Sequence, residues 1–166
     1  MVEPAQDGKD GWGYGAFILP QLHQASLFNE LAPNRTSRDG PAVDQSLVST
    51  RLPVFECPAV LEETAGRSNY KGSAELFAYE APLEDVYDGE STTLMLGESV
   101  ALHRWADPGT GTCTSGPNQG DFGSPHSGGA NFLMCDGAVY FIADHVDIAT
   151  FQALSTLAGR EVVGDF

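Results

Sequence analysis

The chain has 166 residues, of which 42% are hydrophobic and 10% aromatic, enough apolar side chains for one ordinary core and a length typical of a single domain. Its 23 acidic and eight basic residues give a formal net charge of −15, which argues against binding to nucleic-acid phosphates or anionic membrane surfaces. Nineteen glycines, ten prolines and only 19% charged residues argue against a helical bundle or a disordered tail and favour a loop-rich α+β domain.

The first predicted element is an amphipathic helix. Four apolar residues recur at helical steps of three and four, namely Ile18, Leu22, Ala25 and Phe28. Pro20 fits only the first turn of a helix, because it has no N–H and its ring obstructs the preceding turn. We therefore expect the helix to begin near Leu19 and to end before Pro33.

Several short elements follow this helix. A second short helix is predicted over residues 42–50, and prolines bracket a brief extended segment over residues 52–58. Residues 68–73 are expected to form a strand. Asp88 and Gly89 predict a turn that leads into a buried strand over residues 92–97.

The clearest local signal is a β-hairpin over residues 131–142, where two apolar runs flank Asp136 and Gly137. An Asp-Gly pair favours a two-residue type I′ turn, in which both residues need positive φ. This turn sets four cross-strand pairs, namely Cys135 with Ala138, Met134 with Val139, Leu133 with Tyr140, and Phe132 with Phe141. The second and fourth pairs form a wholly apolar face that we expect to point into the core.

A closing helix completes the predicted fold. Asp147 provides an N-cap, a helical apolar stripe follows, and Gly159 provides a stop. The elements together predict one α+β domain in which a small antiparallel sheet, centred on the hairpin, packs with an N-terminal and a C-terminal helix.

Motifs that occur in order along the chain carry a family resemblance. Residues 122–141 contain His126, nine further residues, and then Asp136 and Gly137. The other pieces lie at residues 11–20, 52–58, 67–70, 88–98 and 158–163. In this ordered set the chain resembles the prepilin-type processing-associated family, which is named for the histidine-to-Asp-Gly spacing and comprises planctomycete-type pseudopilin-like proteins of unknown function, also termed DUF1559.

The resemblance implies a single pseudopilin-like globular domain over residues 1–166. It implies a non-catalytic, structural or surface-display role in the bacterial cell envelope, in a system like type II secretion or the type IV pilus. The expected location is outside the cytoplasmic membrane, with other pilin-like subunits or envelope proteins as partners. Family members typically begin with a prepilin leader and a long apolar helix, which this sequence lacks, so we expect the chain to be soluble and to contact a membrane only through a missing helix of that kind.

The histidine motif is the first candidate site. The positions singled out are His126, Gly128, Gly129, Asn131, Asp136 and Gly137. His126 is expected to donate a ring hydrogen to the Asp136 carboxylate and so hold the loop against the hairpin, with the glycines allowing close backbone approach. A ligand or cation site here is the alternative. A hydrolase that uses Ser124, His126 and Asp136 is a third possibility, although the sequence has no nucleophile elbow.

Calcium is the alternative cofactor suggested by the acidic composition. Asp107, Asn118 and Asp121 lie in the long Gly/Pro-rich loop over residues 105–123 and offer the oxygen ligands that a hard cation prefers. Solvated loop acids are the competing interpretation, because no spaced calcium-binding motif accompanies them. An extracellular calcium- or carbohydrate-binding module is accordingly the second function to consider.

The cysteines Cys57, Cys113 and Cys135 do not have the spacing of a structural zinc site. In an oxidising compartment Cys57 and Cys113 are the more plausible disulfide pair, because both lie in loop-like surroundings, and three reduced thiols are the alternative.

Three aromatic residues suggest a possible carbohydrate or partner surface. Trp12 and Tyr14 lie beside glycines, and Trp105 lies in a predicted loop. Such surroundings favour an exposed aromatic platform. The competing expectation is that Trp12 and Tyr14 cover the start of the first helix.

Overall fold

A computed structural model describes residues 11–62, 64–78, 81–161, 163–164 and 166. Its five strands are Arg67–Ser73 (β1), Leu94–Arg104 (β2), Thr110–Gly111 (β3), Gly129–Met134 (β4) and Val139–Ala143 (β5). They form one sheet in the order β3-β1-β2-β4-β5. The pairs β1–β2, β2–β4 and β4–β5 are antiparallel, while β3 pairs in parallel with β1. The α+β class is confirmed, and the sheet is mixed rather than wholly antiparallel.

The helices are short. They are Tyr14–Phe17 (α1), Ala25–Leu31 (α2), Ala74–Phe77 (α3) and Ile148–Ala153 (α4). Single 3₁₀ turns occupy Leu47–Ser49, Pro53–Phe55, Leu83–Asp85 and Glu90–Thr92. Only the first of these turns stands where a helix was expected over residues 42–50. The second replaces the expected extended segment over residues 52–58, since the fixed φ of proline also suits the first position of a helical turn.

The expected N-terminal helix forms only in its second half, as α2, because residues 18–23 are in turns and α1 ends before the expected start near Leu19. His23 has φ of 60°, the Gln24 N–H donates to the Leu19 carbonyl, and the His23 N–H donates to the Pro20 carbonyl. This pair of bonds is the Schellman arrangement that closes a helical turn. The direction of the chain changes there, so Leu19 is fully buried while Ile18, expected on the buried face, is 36% exposed.

The β4–β5 hairpin forms where expected, but its register differs by one residue. Phe132 pairs with Tyr140, and Leu133 pairs with Val139. The Met134 N–H donates to the Ala138 carbonyl, which leaves a three-residue loop. Gly137 has φ of 89°, as in a type I turn closed by a G1 bulge, rather than the type I′ turn that Asp-Gly suggested.

The register change reverses the facing of β5. Phe132 and Met134 are buried as expected, but Val139 is 66% and Phe141 49% exposed. The side chain of Ile142 fills the core instead, because a shift of one residue moves every side chain of a strand to the opposite face.

Two hydrophobic cores stabilise the fold. The first core is built mainly from the N-terminal segment, and its largest members are Trp12, Leu19, Leu31, Val48, Phe55 and Trp105. The second core joins β2, β4, β5 and α4, and its largest members are Leu94, Phe122, Phe132, Met134, Ile142 and Phe151. The Phe132 ring meets those of Phe122 and Phe151 in edge-on contacts at 5.6 and 5.4 Å.

The closing helix is confirmed at its start. The Asp147 carboxylate accepts a hydrogen bond from the Thr150 N–H at 2.9 Å, as an N-cap should. The helix ends at Ala153, earlier than the Gly159 stop suggested. None of the helices in the described part of the chain is long and apolar enough to cross a lipid bilayer.

Candidate functional site

Three chemically reactive side chains from distant parts of the chain meet in one place, the Cys-Glu-His cluster (Cys57, Glu98 and His126). The Cys57 Sγ lies 3.4 Å from the His126 Nε2. The same Nε2 lies 3.3 Å from the Glu98 Oε1. All three heteroatoms lie within 4.8 Å of one another.

Each member of the Cys-Glu-His cluster is positioned by a different element. Cys57 follows the Pro53–Phe55 turn, and its N–H donates to the Asn69 side chain on β1 at 3.0 Å. Glu98 lies within β2, opposite Tyr70 of β1. His126 belongs to the loop before β4, where its N–H donates to the Ser124 hydroxyl at 3.1 Å.

The loop that carries His126 is held tightly against the sheet. The Ser124 hydroxyl donates to the Gly129 carbonyl at 2.7 Å. A Cβ at Gly129 would stand 2.2 Å from the Ile142 carbonyl oxygen, so no larger residue fits there without moving the backbone of β5. The expected need for close approach at this glycine is therefore met.

Glu98 is a buried carboxylate with directed partners. Its Oε2 accepts hydrogen bonds from the Asn131 N–H at 2.7 Å and from the Asn131 side-chain amide at 2.9 Å. Its side chain is only 3% exposed, and among the described residues its ion-pair partner is His126. The two Asn131 bonds fix the carboxylate so that Oε1 faces the histidine and cysteine.

The surroundings of the Cys57 thiol raise its pKa. Burial raises the pKa of this thiol, and the nearby Glu98 carboxylate raises it further. A catalytic cysteine has the opposite property, a pKa lowered by a neighbouring cation.

The geometry of the Cys-Glu-His cluster differs from that of a nucleophilic triad. In such a triad one ring nitrogen faces the nucleophile and the other faces the orienting carboxylate. Here the Nε2 of His126 faces both Cys57 and Glu98. Three donor atoms that converge on one point are arranged as ligands rather than as a proton relay.

The expected partner of His126 is wrong. Asp136 is exposed, and its Oδ1 accepts the Ala138 N–H at 2.8 Å within the hairpin turn. His126 instead contacts the Glu98 carboxylate on β2. The hydroxyl of Ser124, the nucleophile of the hydrolase alternative, bonds the backbone of its own loop.

The three residues considered for calcium serve separate contacts. Asp107 pairs with Arg38 at 2.6 Å. Asp121 accepts two hydrogen bonds from Thr112, and these bonds lower its pKa although partial burial opposes them.

The third, Asn118, has φ of 63° and accepts the Ser124 N–H at 2.8 Å. All three side chains thus already bond within the protein.

The three cysteines are free and buried, so Cys57 and Cys113 are not joined in a disulfide as considered from the sequence. Cys113 packs in the second core, whereas Cys57 lies against His126. Burial raises the pKa of Cys113 to about 12, and it raises that of Cys135 to about 11.

The exposed aromatic platform is wrong, because both tryptophans are buried. Trp12 is fully buried, and its indole N–H donates to the Thr36 carbonyl. Trp105 is buried as well and donates to the Thr50 carbonyl. The Tyr14 hydroxyl donates to the Tyr70 carbonyl.

A groove of about 450 Å³ lies beside Glu98. Apolar side chains form most of its lining, including Tyr14, Ile18, Val54, Leu133 and Val139. Glu98 and Asn131 contribute its polar groups.

Glu98 is not among the site residues expected from the sequence, and neither is the contact between Cys57 and His126. One signal for Glu98 was available, since a lone carboxylate directly follows the apolar run of the strand predicted over residues 92–97 and must find partners if it is buried. The contact between Cys57 and His126 joins residues 69 positions apart, and no local pattern reports it.

Comparison with known proteins gives one match. No curated protein and no solved structure matches the chain. Residues 101–149, which include His126, Asn131, Asp136 and Gly137, match the family model described as "Protein of unknown function (DUF1559)". The resemblance of this chain to the DUF1559 family is therefore confirmed over those residues.

Proposed function

We propose that the chain is the non-catalytic globular domain of a pilin- or pseudopilin-like protein of the bacterial cell envelope, in a system like type II secretion or the type IV pilus. Its role is to be displayed outside the cytoplasmic membrane and to contact another subunit of that assembly. The ordered motifs along the chain, which resemble those of the planctomycete-type proteins, support this proposal. The observation that carries it is the exposed apolar edge of the sheet.

That edge is strand β5. It is one of the two edge strands of the sheet, and Val139, Tyr140 and Phe141 are 66%, 41% and 49% exposed. An edge strand that contains no lysine or proline is a template for pairing with another chain. Soluble proteins usually protect such edges, so an unprotected one indicates a contact surface.

Charge determines the kind of partner. Exposed or half-exposed acids stand near both ends of β5, namely Asp136, Asp144 and Asp147, and the whole chain carries a formal net charge of −15. A second copy of the chain would bring like charges together, which costs free energy. The partner is therefore a different subunit that presents an apolar strand or face flanked by basic residues.

The Cys-Glu-His cluster lacks the arrangement of a nucleophilic triad. Its histidine is not placed between nucleophile and carboxylate, and the Cys57 thiol has a raised pKa because of burial and the neighbouring carboxylate. Turnover of a peptide or ester substrate that disappears in Cys57→Ala while the variant remains folded would contradict this part of the proposal.

The contact is tested by site-specific crosslinking in the source cells. A photoreactive phenylalanine analogue replaces Phe141, with Leu61, which is 92% exposed and far along the chain, as the matched control position. We expect a covalent adduct with a pilin-like envelope subunit from position 141 and not from position 61. Protease added after the outer membrane has been permeabilised should also degrade the protein.

Two results would contradict the proposal. One is an adduct pattern that is the same at both positions or contains only cytoplasmic proteins. The other is a protein that becomes accessible to protease only after the cytoplasmic membrane is broken.

A further inference from the structure

The donor atoms of the Cys-Glu-His cluster fit the coordination of one metal ion. They are a sulfur, an imidazole nitrogen and a carboxylate oxygen, the set that zinc accepts in proteins. Hard cations such as calcium and magnesium prefer oxygen ligands alone. The chemistry of the donors therefore favours zinc over the calcium considered from the sequence.

Two of the three donor distances agree with a tetrahedral ion, and the third, between the Cys57 Sγ and a Glu98 oxygen, is at most 4.8 Å. Bond lengths of about 2.3 Å for sulfur and about 2.0–2.2 Å for nitrogen and oxygen give distances between ligand atoms of roughly 3.3–3.6 Å. The observed Cys57 Sγ to His126 Nε2 distance is 3.4 Å, and the His126 Nε2 to Glu98 Oε1 distance is 3.3 Å. Both distances match two edges of such a tetrahedron.

Outer hydrogen bonds hold the donors in these positions. Asn131 donates from its backbone N–H and from its side-chain amide to the Glu98 Oε2, while the Glu98 Oε1 lies near His126. Asn69 holds the backbone of Cys57, and Ser124 holds that of His126. Partners of this kind orient metal ligands and contribute to metal affinity.

Burial and charge add a reason for an ion at this place. The side chain of Glu98 is 3% exposed, and a buried carboxylate needs a compensating charge. The side chain of His126 is 35% exposed, so water reaches this side of the cluster and can occupy a fourth position.

We propose that Cys57, Glu98 and His126 form a zinc site with three protein ligands and a fourth position open to water or an external ligand. The ion replaces the thiol proton of Cys57, which is released to solvent, and it joins the Cys57 segment and the His126 loop to β2. This inference does not rest on the proposed role in assembly, because none of the three ligands belongs to β5.

Titration of the metal-free full chain with Zn²⁺ tests the site, with Ca²⁺ as the comparison ion. Calorimetry should give one bound Zn²⁺ per chain with release of protons, and the melting temperature should rise with Zn²⁺ and not with Ca²⁺. Co²⁺ in place of Zn²⁺ should give a thiolate-to-metal charge-transfer band and the visible bands of a tetrahedral site.

Matched variants identify the ligands. Cys57→Ser should remove the charge-transfer band, whereas Cys135→Ser should keep it, since Cys135 lies in the hairpin turn. His126→Gln should lose Zn²⁺ binding, and the exposed His145→Gln should retain it. Asn131→Ala, which removes only the side-chain bond to Glu98, should weaken affinity by about 10–100-fold.

The circular dichroism of each metal-free variant shows whether it is folded. The proposal is overturned if the native chain binds no Zn²⁺, if Ca²⁺ stabilises it equally, or if folded Cys57→Ser and Cys135→Ser bind Co²⁺ alike.

Discussion

The hairpin register can be tested by truncating two phenylalanines on adjacent strands. Phe132 is 1% exposed and packs against two other rings of the second core. Phe132→Ala should lower the free energy of unfolding by about 3–5 kcal/mol, the usual cost of removing a buried phenyl ring. Phe141 is 49% exposed, and full burial of such a side chain contributes about 1.5–3 kcal/mol, so Phe141→Ala should cost about 1 kcal/mol.

Urea unfolding followed by circular dichroism measures both effects. With an m-value of about 2 kcal/mol/M, typical of a small domain, the midpoint should fall by about 1.5–2.5 M for Phe132→Ala and by about 0.5 M for Phe141→Ala. Equal losses, or a larger loss at Phe141, would show that both rings face the core. The one-residue register change described for β5 would then be refuted.

Three further predictions concern the turn, the acid response and the thiols. Gly137→Ala should cost about 1–2 kcal/mol in urea unfolding because φ is 89° there, and a cost near zero would argue against the bulged turn. The pKa of Asp121 lies below the ordinary value of an aspartate because the carboxylate accepts hydrogen bonds from Thr112, so its stabilisation is present above that ordinary value and is lost as the pH falls through the lowered pKa. Asp121→Asn should therefore flatten the dependence of the melting temperature on pH below about pH 4, and an unchanged slope would contradict this. Cys113 should resist alkylation in the native protein at pH 8 and react after unfolding, because burial raises its pKa to about 12; rapid native labelling would contradict its placement in the core.

Elements with complete local signals were predicted from the sequence. Asp147 caps α4 through its own side chain, and the start of β2 occurs where an apolar run follows a turn signal. The hairpin is also present, because Asp136 and Gly137 separate two apolar runs and favour a tight turn between them. In these cases the residues that determine the structure lie within a few positions of one another.

The hairpin register depended on contacts outside the hairpin. The Cys135 N–H donates to the Thr93 carbonyl, and the Asp136 N–H donates to the Glu90 carbonyl. These bonds attach the end of β4 to the segment before β2 and so favour the longer loop. An Asp-Gly pair fits either loop, and the choice was made by residues about forty positions away.

Only part of the candidate site could be predicted from the sequence, for the same reason. His126 could be identified from its motif, but it was assigned to Asp136, the carboxylate nearest along the motif. Its actual neighbours, Glu98 and Cys57, come from β2 and from the segment after the first core. Only the folded arrangement of three segments brings their donor atoms together.

The position of the Cys-Glu-His cluster affects how the protein opens. Cys57 comes two residues after Phe55 of the first core, while Glu98 lies in the strand that also supplies Leu94 to the second. If the N-terminal segment detaches while the sheet persists, the contact between Cys57 and His126 must break, so any ligand that bridges them adds its binding free energy to that partial opening. Slower amide hydrogen exchange in α2, a helix that does not touch the ligand, would then report occupancy.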